Sequence, residues 1–551
     1  MNNKLKVGLL VDSLEVPYWV YLMIDKIKQS EYSDISLIIS NNTPIVKNNI
    51  LKKIKNNRDY FLYKIYTRVE NIICKQNPNA FEIRNLKKLL GEVKEIKVTP
   101  KLTKYSDWIK NEDVDRILEY DLDVIIRLGF RILRGRILDA AKCGIWSLHH
   151  GDNDINRGGP AGFWEVFEQH PVTGSVLQIL NEDLDGGKIL TKSYSTTDTT
   201  FVKRNCNNYY MKTISFIPRK LKELHDLGKD IFLEKVNIEN NTLNFYSNPL
   251  YSKPKNLEFL KLEYSNWIRY LRRKIENKYS FEQWSLLFNI QNEISKSLWK
   301  YKIIHPPKDR FWADPHVIVR DNNYFIFIEE YIYQKDKGHV ALLTMDKDGN
   351  YKYVGNILER KYHLSYPFVF EFDNNFYMIP ETESNKSIEI YKCIEFPEKW
   401  EYFGKLMSSI NAVDSTLFQY NNKWWMFSGI KENNGASNSD ELFLFHSDNP
   451  LSDKWEPHPE NPIISDSRKA RPGGKIFSYR NSFYRPSQDC SNYYGYGISI
   501  NQIKKLNEDK YEEIQVSSIL PKWTNKITRV HTFTYDSGLS IIDAKIKRSR
   551  L

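Results

Sequence analysis

Cysteine is scarce in this 551-residue chain: Cys74, Cys143, Cys206, Cys393 and Cys490 are scattered and odd in number. No CxxC pair occurs, so neither a disulfide framework nor a zinc knuckle is expected. Long apolar runs are missing as well. None approaches the ~20 residues of a membrane span. The N-terminus, MNNKLKVGLLVDSLEVPYW, enters a strand-like segment and lacks the hydrophobic stretch and small-residue cleavage site of a signal peptide. These absences lead to the expectation of a cytoplasmic protein. Phosphate-cradling glycine motifs are lacking too: there is no GxxxxGK[ST], and no GxGxxG opens a helix. Neither sign of charge dominates. Eighty basic against 69 acidic residues leave a formal +11, which does not indicate a nucleic-acid binder.

What is present is a globular composition, 41% apolar and 27% charged, with 14% aromatic residues that favour strands. The length exceeds the ~250–300 residues that one hydrophobic core supports, so at least two domains are expected.

The first half alternates strand and helix patterns. KVGLLVDS (6–13) is a continuous apolar run suited to a strand buried on both faces. A helix is predicted over Trp19 to Ile27, then a strand at 36–40. Further on come a helix at 114–120, a strand at 123–128, a helix at 133–142 and a strand at 144–150. This order predicts an open, Rossmann-like α/β sheet with ligand sites outside the carboxyl ends of its strands. Asp185-Gly186-Gly187 then marks a hairpin, and one long helix over 204–227 closes the domain.

From about residue 281 the pattern changes to short aromatic strands. Four segments share an alternating strand, an Asn-containing turn and a second aromatic strand, with turns at Asn322, Asn374, Asn421 and Arg480. Repeats of roughly 40–50 residues built from short strands predict a propeller. A fifth blade would combine 513–543 with 281–305. The expected domains are therefore 1–228 (α/β), 229–280 (connector) and 281–551 (all-β, five-bladed propeller). Within the connector, a helix at 263–279 places Trp267, Leu271 and Ile275 on one face. Arg269, Arg272, Arg273 and Lys274 lie around it. It reads as a linker helix with a solvated basic face, or as a weak membrane-surface contact.

The most informative stretch is 144–190. It resembles the catalytic core of the 10-formyltetrahydrofolate-dependent formyltransferases, the sugar N-formyltransferases among them. That family carries Asn-x-His at a strand end, then Arg-Gly, then a Leu-Asp-x-Gly hairpin. The matching positions here are Ser147-Leu148-His149, Arg157-Gly158 and Leu184-Asp185-Gly186-Gly187. In such a site His149 either accepts the proton lost by an attacking amine or stabilises the anion, while Asp185 holds the imidazole. The resemblance further implies that the family Asn donates to the developing oxyanion. Ser147 stands in that place. A serine acting through a water, a substitute in His150 or Asn153, and loss of catalysis all remain open. Arg157, Gly158, Asp152 and His150 are the candidate substrate- and cofactor-binding residues. Asp152 reads equally as a cap or turn residue, and the His149-His150 pair does not predict a metal, because adjacent strand residues point to opposite faces.

The second half resembles the propellers of arabinanase- and xylosidase-type glycosidases, and the N-terminal domain of glucosamine inositolphosphorylceramide transferases. FWADP (311–315), SYPFVFE (365–371), MIPET (378–382), AVDSTLF (412–418) and YRPSQDC (484–490) carry the resemblance. It implies that Asp314 and Asp414 face a central channel as two members of an acidic ring. The fourth repeat opens on Arg471-Pro472-Gly473 and offers no Glu, which leaves Glu330, Glu381 and Asp489 as alternative carboxylates. Trp312, Tyr366, Trp424, Arg485 and Gln488 are the expected sugar contacts. Together the two resemblances imply formyl transfer from 10-formyltetrahydrofolate to a nucleotide- or lipid-linked amino sugar, in surface-glycan synthesis. The alternatives are a glycan-processing enzyme with its chemistry in the propeller, or a non-catalytic carbohydrate-binding protein. No metal and no nucleic-acid partner is expected.

Overall fold

The structure is a computed structural model that describes residues 4–44 and 58–549. The chain divides into two compact units. One comprises Met1–Ser193, Thr197–Asn266 and Asn433–Ser437; the other comprises Tyr194–Thr196, Trp267–Glu432 and Asn438–Leu551.

The first unit is built on a mixed seven-stranded sheet. Its order is Lys188–Thr196, Val172–Ile179, Ile145–His149, Val124–Arg127, Leu5–Val11, Ser33–Asn41 and Glu95–Val98. Leu5–Val11 runs parallel to both of its neighbours, and Val172–Ile179 runs antiparallel to Ile145–His149. Alternate residues of the central strands feed two cores. Leu9, Val124, Ile126 and Trp146 pack with Phe216, Leu221 and Phe232 on one face. Leu10, Ile125 and Ile145 pack with Val114, Ile117 and Ile137 on the other. The strand order reverses between Leu5–Val11 and Val124–Arg127, which sets a crevice at their carboxyl ends.

Three elements differ from the sequence reading. Residues 133–142 hold no α-helix: Gly135, at φ 77°, separates the strand Ile132–Arg134 from a single turn at Arg136–Asp139. The long helix expected over 204–227 is two, Val202–Thr213 and Phe216–Leu227. The helix Lys229–Glu239, assigned above to the connector, buries Phe232 and Val236, and Phe232 stacks on Trp146 at 5.8 Å. The first unit therefore extends past residue 228.

The second unit is all-β and contains five sheets. Three are four-stranded meanders, at Arg310–Leu358, Ser365–Ser408 and Phe477–Ile519. A fourth runs from Ala412 to Ser465. In the fifth, Ser280–Ile290 pairs with Leu539–Ser549 over eleven residues, flanked by Lys302–Ile304 and Ile527–Asp536. The pairing of distant segments follows the expectation, except that Tyr511–Ile519 joins the fourth repeat's sheet instead. The repeated turns have a common physical cause. Asp321-Asn322, Asp373-Asn374, Asn421-Asn422 and Arg480-Asn481 each hold two successive positive φ angles, the geometry of a tight hairpin turn that suits Asn and Asp.

The helix Asn256–Tyr279 covers the basic segment. Trp267 is exposed, whereas the side chains of Arg273 and Ile275 lie outside the described residues. Among the described residues no helix is long and apolar enough to cross a membrane.

Candidate functional site

In the first unit, chemistry-bearing side chains gather where the parallel strands end. Ser147 and His149 share one face of the last parallel strand, and Arg127 sits opposite Ser147 on the neighbouring strand. His149 Nδ1 lies 3.4 Å from Asp185 Oδ2, and its Nε2 donates to the carbonyl of Asn156 at 2.8 Å. Nε2 thus spends its hydrogen on the loop, and Nδ1 faces the carboxylate. Gln178 Nε2 donates to Asp185 Oδ1 at 3.3 Å, holding the carboxylate from the adjacent strand. Asp185 itself adopts φ 51°, which aims it inward from the hairpin.

Ser147 is buried, and its Oγ accepts a hydrogen bond from Arg127 Nη1 at 3.1 Å. Burial lowers the Arg127 pKa, opposed by the charges of Asp185, Asp12 and Asp107. Arg127 was not singled out in the sequence. The signal was there: an arginine ends the otherwise apolar DVIIRL strand.

The loop after His149 is held from outside. Asp152 pairs with Lys192 of the strand Lys188–Thr196 at 2.6 Å and accepts the backbone N–H of Asp154, so it ties its loop to that strand. Arg157 Nε donates to the Asn153 carbonyl at 2.8 Å, and the guanidinium lies 4.5 Å over the ring of Tyr246. Gly158 sits at φ 108°, and a Cβ there would lie 2.3 Å from the carbonyl oxygen of Tyr251. The segment 244–252 therefore straps the loop: Asn244 Nδ2 donates to Asp154 Oδ1 at 2.7 Å, and Trp164 Nε1 to the Ser252 carbonyl at 3.1 Å.

His150 does not join the site. It stacks on Tyr210 at 3.6 Å and contacts Thr213, and burial takes its pKa down to about 3. The ring is held by Tyr210 and Thr213, and among the described residues it makes no hydrogen bond to Ser147, His149 or Asp185. Asn153 stays beside the site: its Nδ2 reaches the Asp185 carbonyl at 3.5 Å, and among the described residues its buried Oδ1 has no partner. That orphaned acceptor, beside the His149–Asp185 pair, suits a ligand that brings a hydrogen-bond donor, such as an amine.

In the second unit a buried charge cluster joins residues from all five sheets and their connections. Asp314, Tyr366 and Asp414 occupy corresponding places in three first strands, each at positive φ and each beside a shift in register. A bulge at each of these positions re-aims its side chain and bends the strand. Asp414 Oδ2 accepts from Arg471 Nε at 2.5 Å and from Gln488 Nε2 at 2.8 Å. Arg471 also reaches Glu381 at 3.3 Å, and its guanidinium lies 4.9 Å over the ring of Tyr494. Burial, then the nearby Asp414, raise the Glu381 pKa against the pull of Arg471.

On the other side, Asp314 accepts from Thr532 Oγ1 at 2.7 Å and from the backbone N–H of Tyr366 at 3.3 Å. Burial, partly offset by His531, pushes its carboxyl up to about 7. Burial alone would lower His531, but Asp543 and Asp314 outweigh it and push the imidazole up to about 9. Asp314, His531 and Asp543 each place one ligand atom within 4.8 Å of the others. Asp543 spends its oxygens on the backbone N–H groups of Asp314, His531 and Thr532, so the trio is already a hydrogen-bonded network. His531 and Asp543 carried no motif in the sequence; only the fold brings them to Asp314.

Other expected channel residues lie elsewhere. Glu330 is clamped inside its own sheet by Arg310, Trp312, His339 and Tyr353. Arg485 is buried and paired with Glu513 at 2.8 Å through two nitrogens. Trp312 stacks on Tyr353, and Trp424 packs on Phe370 and Phe372, so neither ring face is offered to a sugar. Asp489 caps the backbone N–H of Ser491. Long aromatic and charged side chains on inner strands stabilise inter-sheet packing as readily as they bind ligands, and the sequence does not separate these roles.

Residues 275–531 match the family described as glucosamine inositolphosphorylceramide transferase 1, N-terminal. The glucosamine inositolphosphorylceramide transferase 1 of Oryza sativa subsp. japonica is 34% identical over 210 residues, 38% of this chain and 28% of the relative. That of Arabidopsis thaliana is 32% identical over 209 residues, 37% and 27% of the two chains. A methionyl-tRNA formyltransferase of Prochlorococcus marinus is 30% identical over 125 residues, 22% of this chain and 34% of that one. The matches thus span about a quarter to a third of each relative's length. Among solved structures, a family 117 glycoside hydrolase from Zobellia galactanivorans is 12% identical with a TM-score of 0.32, covering 48% of this chain and 90% of its own. A phosphoribosylglycinamide formyltransferase from Anaplasma phagocytophilum is 15% identical with a TM-score of 0.26, covering 40% and 88%.

Proposed function

We propose that the first unit transfers the formyl group of 10-formyltetrahydrofolate to the amine of an amino sugar, and that the five sheets of the second unit close into a propeller that holds carbohydrate. The observation carrying the first part is His149 Nδ1 at 3.4 Å from Asp185 Oδ2, at the carboxyl ends of parallel strands. The similarity to a methionyl-tRNA formyltransferase supports the chemistry. The similarity to glucosamine inositolphosphorylceramide transferases supports a glycan or lipid-linked glycan as acceptor.

The donor supplies an activated formyl carbon. The protein's part is to move one proton and to place the reactants. The His149–Asp185 pair takes the proton lost by the attacking amine and returns one to the departing nitrogen, so it ends as it began. Gln178 keeps Asp185 turned toward the ring. The strapped loop carrying Arg157 borders the acceptor side.

Purified protein given 10-formyltetrahydrofolate and nucleotide-linked amino sugars should release tetrahydrofolate, and His149→Ala should abolish release. Unchanged release in that variant defeats the assignment.

A second reading is favoured by the strained, buried carboxyls Asp314, Asp414 and Glu381 around Arg471: glycan processing in the second unit. In that case Asp314→Asn and Asp414→Asn remove activity on glycans, while His149→Ala leaves it intact.

A further inference from the structure

The formyl-transfer reading leaves the role of the family's oxyanion donor unfilled, because Ser147 replaces its Asn, His150 is stacked on Tyr210, and Asn153 turns its amide nitrogen to the Asp185 carbonyl. The geometry points to Arg127 and Ser147 acting together as that donor, in a charged version of the missing carboxamide. The inference rests on the formyl-transfer reading.

Counting hydrogens makes the case. A guanidinium has five N–H groups. Arg127 Nε donates to the Arg131 carbonyl at 3.2 Å, and Nη2 donates to the carbonyls of Phe130 and Arg131 at 2.9 and 2.8 Å. Nη1 spends one hydrogen on Ser147 Oγ at 3.1 Å. Among the described residues the second Nη1 hydrogen has no acceptor. Ser147 Oγ accepts from Arg127, and its own hydrogen is likewise uncommitted. Two unspent donors therefore stand side by side, the same number as on a carboxamide nitrogen.

They are also fixed in place. Three bonds to the turn at Phe130–Arg131 fix the guanidinium plane, and that turn is tied to the sheet by Asp12, which accepts the Phe130 N–H at 3.0 Å. Arg131 is anchored in turn by Asp107. The charge of Arg127 polarises the Ser147 hydroxyl and makes it a stronger donor. Asp185, the carboxylate acting most strongly on Arg127, lies 3.4 Å from the His149 ring.

In the step, the amine nitrogen bonds to the formyl carbon and the carbonyl π pair moves onto oxygen. The Arg127 Nη1 and Ser147 Oγ hydrogens bind that oxygen. Collapse of the pair breaks the bond from the formyl carbon to N10, while one proton passes from the amine to the His149–Asp185 pair and one passes from that pair to N10.

The test is the 551-residue protein with an oxidation-resistant 10-formyl folate analogue whose formyl carbon is isotopically labelled. Infrared difference spectra read the carbonyl stretch, and parallel assays read turnover. The expected result is a stretch lowered on binding to the parent, returning toward its aqueous position in Arg127→Met and in Ser147→Ala. Turnover should fall about 100–1,000-fold in each, with the KM for the donor changed little. Ser147→Asn in the Arg127→Met background should recover part of the loss. If Arg127→Met does not fold, Ser147→Ala alone decides. An analogue that binds with the same stretch in parent and variants overturns the donor pair and leaves the formyl-transfer reading standing. Failure of the analogue to bind the parent overturns both.

Discussion

Asp414 and Arg471, 57 positions apart, meet at 2.5 Å with less than a tenth of either side chain exposed. The contact ties the third repeat of the all-β unit to the start of the fourth, and Glu381 of the second repeat shares the same guanidinium. Asp414→Asn should destabilise that unit by about 3–5 kcal/mol, because it leaves a buried guanidinium short of charge. Urea unfolding followed by tryptophan fluorescence measures this. An unchanged midpoint would mean that Glu381 alone neutralises Arg471.

Glu330 makes the same unit sensitive to acid. Burial would raise its pKa, but hydrogen bonds from His339, Tyr353, Arg310 and Trp312 outweigh burial and bring it down to about 2, from an ordinary 4.5. A carboxyl lowered by folding contributes stability above its unfolded pKa and loses it as pH falls toward the folded one. Thermal stability should therefore drop from about pH 4.5 downward, and Glu330→Gln should start lower and flatten that limb. Calorimetric scans across pH 2.5–6 check both.

The alkaline side is governed by His531. Its pKa rises on folding from 6.5 to about 9, so its contribution is full below 6.5 and lost as pH climbs through 9. Asp314, raised from 3.8 to about 7, acts in the same direction at lower pH. Melting temperature should decline between pH 6.5 and 9.5, and His531→Gln should remove the upper part of that decline.

Gly158→Ala tests the strap over the site loop. A Cβ would fall 2.3 Å from the Tyr251 carbonyl, at a φ of 108° that side chains avoid. Segment 244–252 should be displaced, and limited proteolysis should cut it faster than in the parent. An unaltered digestion pattern would show that the loop shifts instead.

Asp185→Asn keeps the shape of the side chain but removes its charge. Formyl transfer should fall by about 100–10,000-fold, with folate-analogue affinity nearly retained. Single-turnover and binding measurements separate the two effects.

The strand pattern was legible because it is local. Apolar runs such as KVGLLV and the paired turns at Asn322 and Asn374 announce themselves within a few residues. The partnership of His149 with Asp185 was legible through the resemblance of 144–190 to a known family. Illegible were contacts fixed only by the sheet's order. Arg127 becomes a neighbour of Ser147 through parallel pairing, and Asp543 meets Asp314 across 229 positions. Helices were misplaced where backbone angle decided the outcome, as at Gly135. Glu330 and Arg485 were misread because a buried ion pair and a ligand-binding charge look alike until their partners are seen.

The eleven-residue pairing of Ser280–Ile290 with Leu539–Ser549 orders events during synthesis. While a ribosome is still adding the final segment, Ser280–Ile290 has already emerged with one long edge unmatched, and it must wait for some 250 further residues before its partner exists. The four sheets in between can assemble as they appear, whereas the one joining early and late chain locks only after translation has passed residue 549. Shortening the gene by even a dozen codons upstream of that point would leave a bare edge open to other chains.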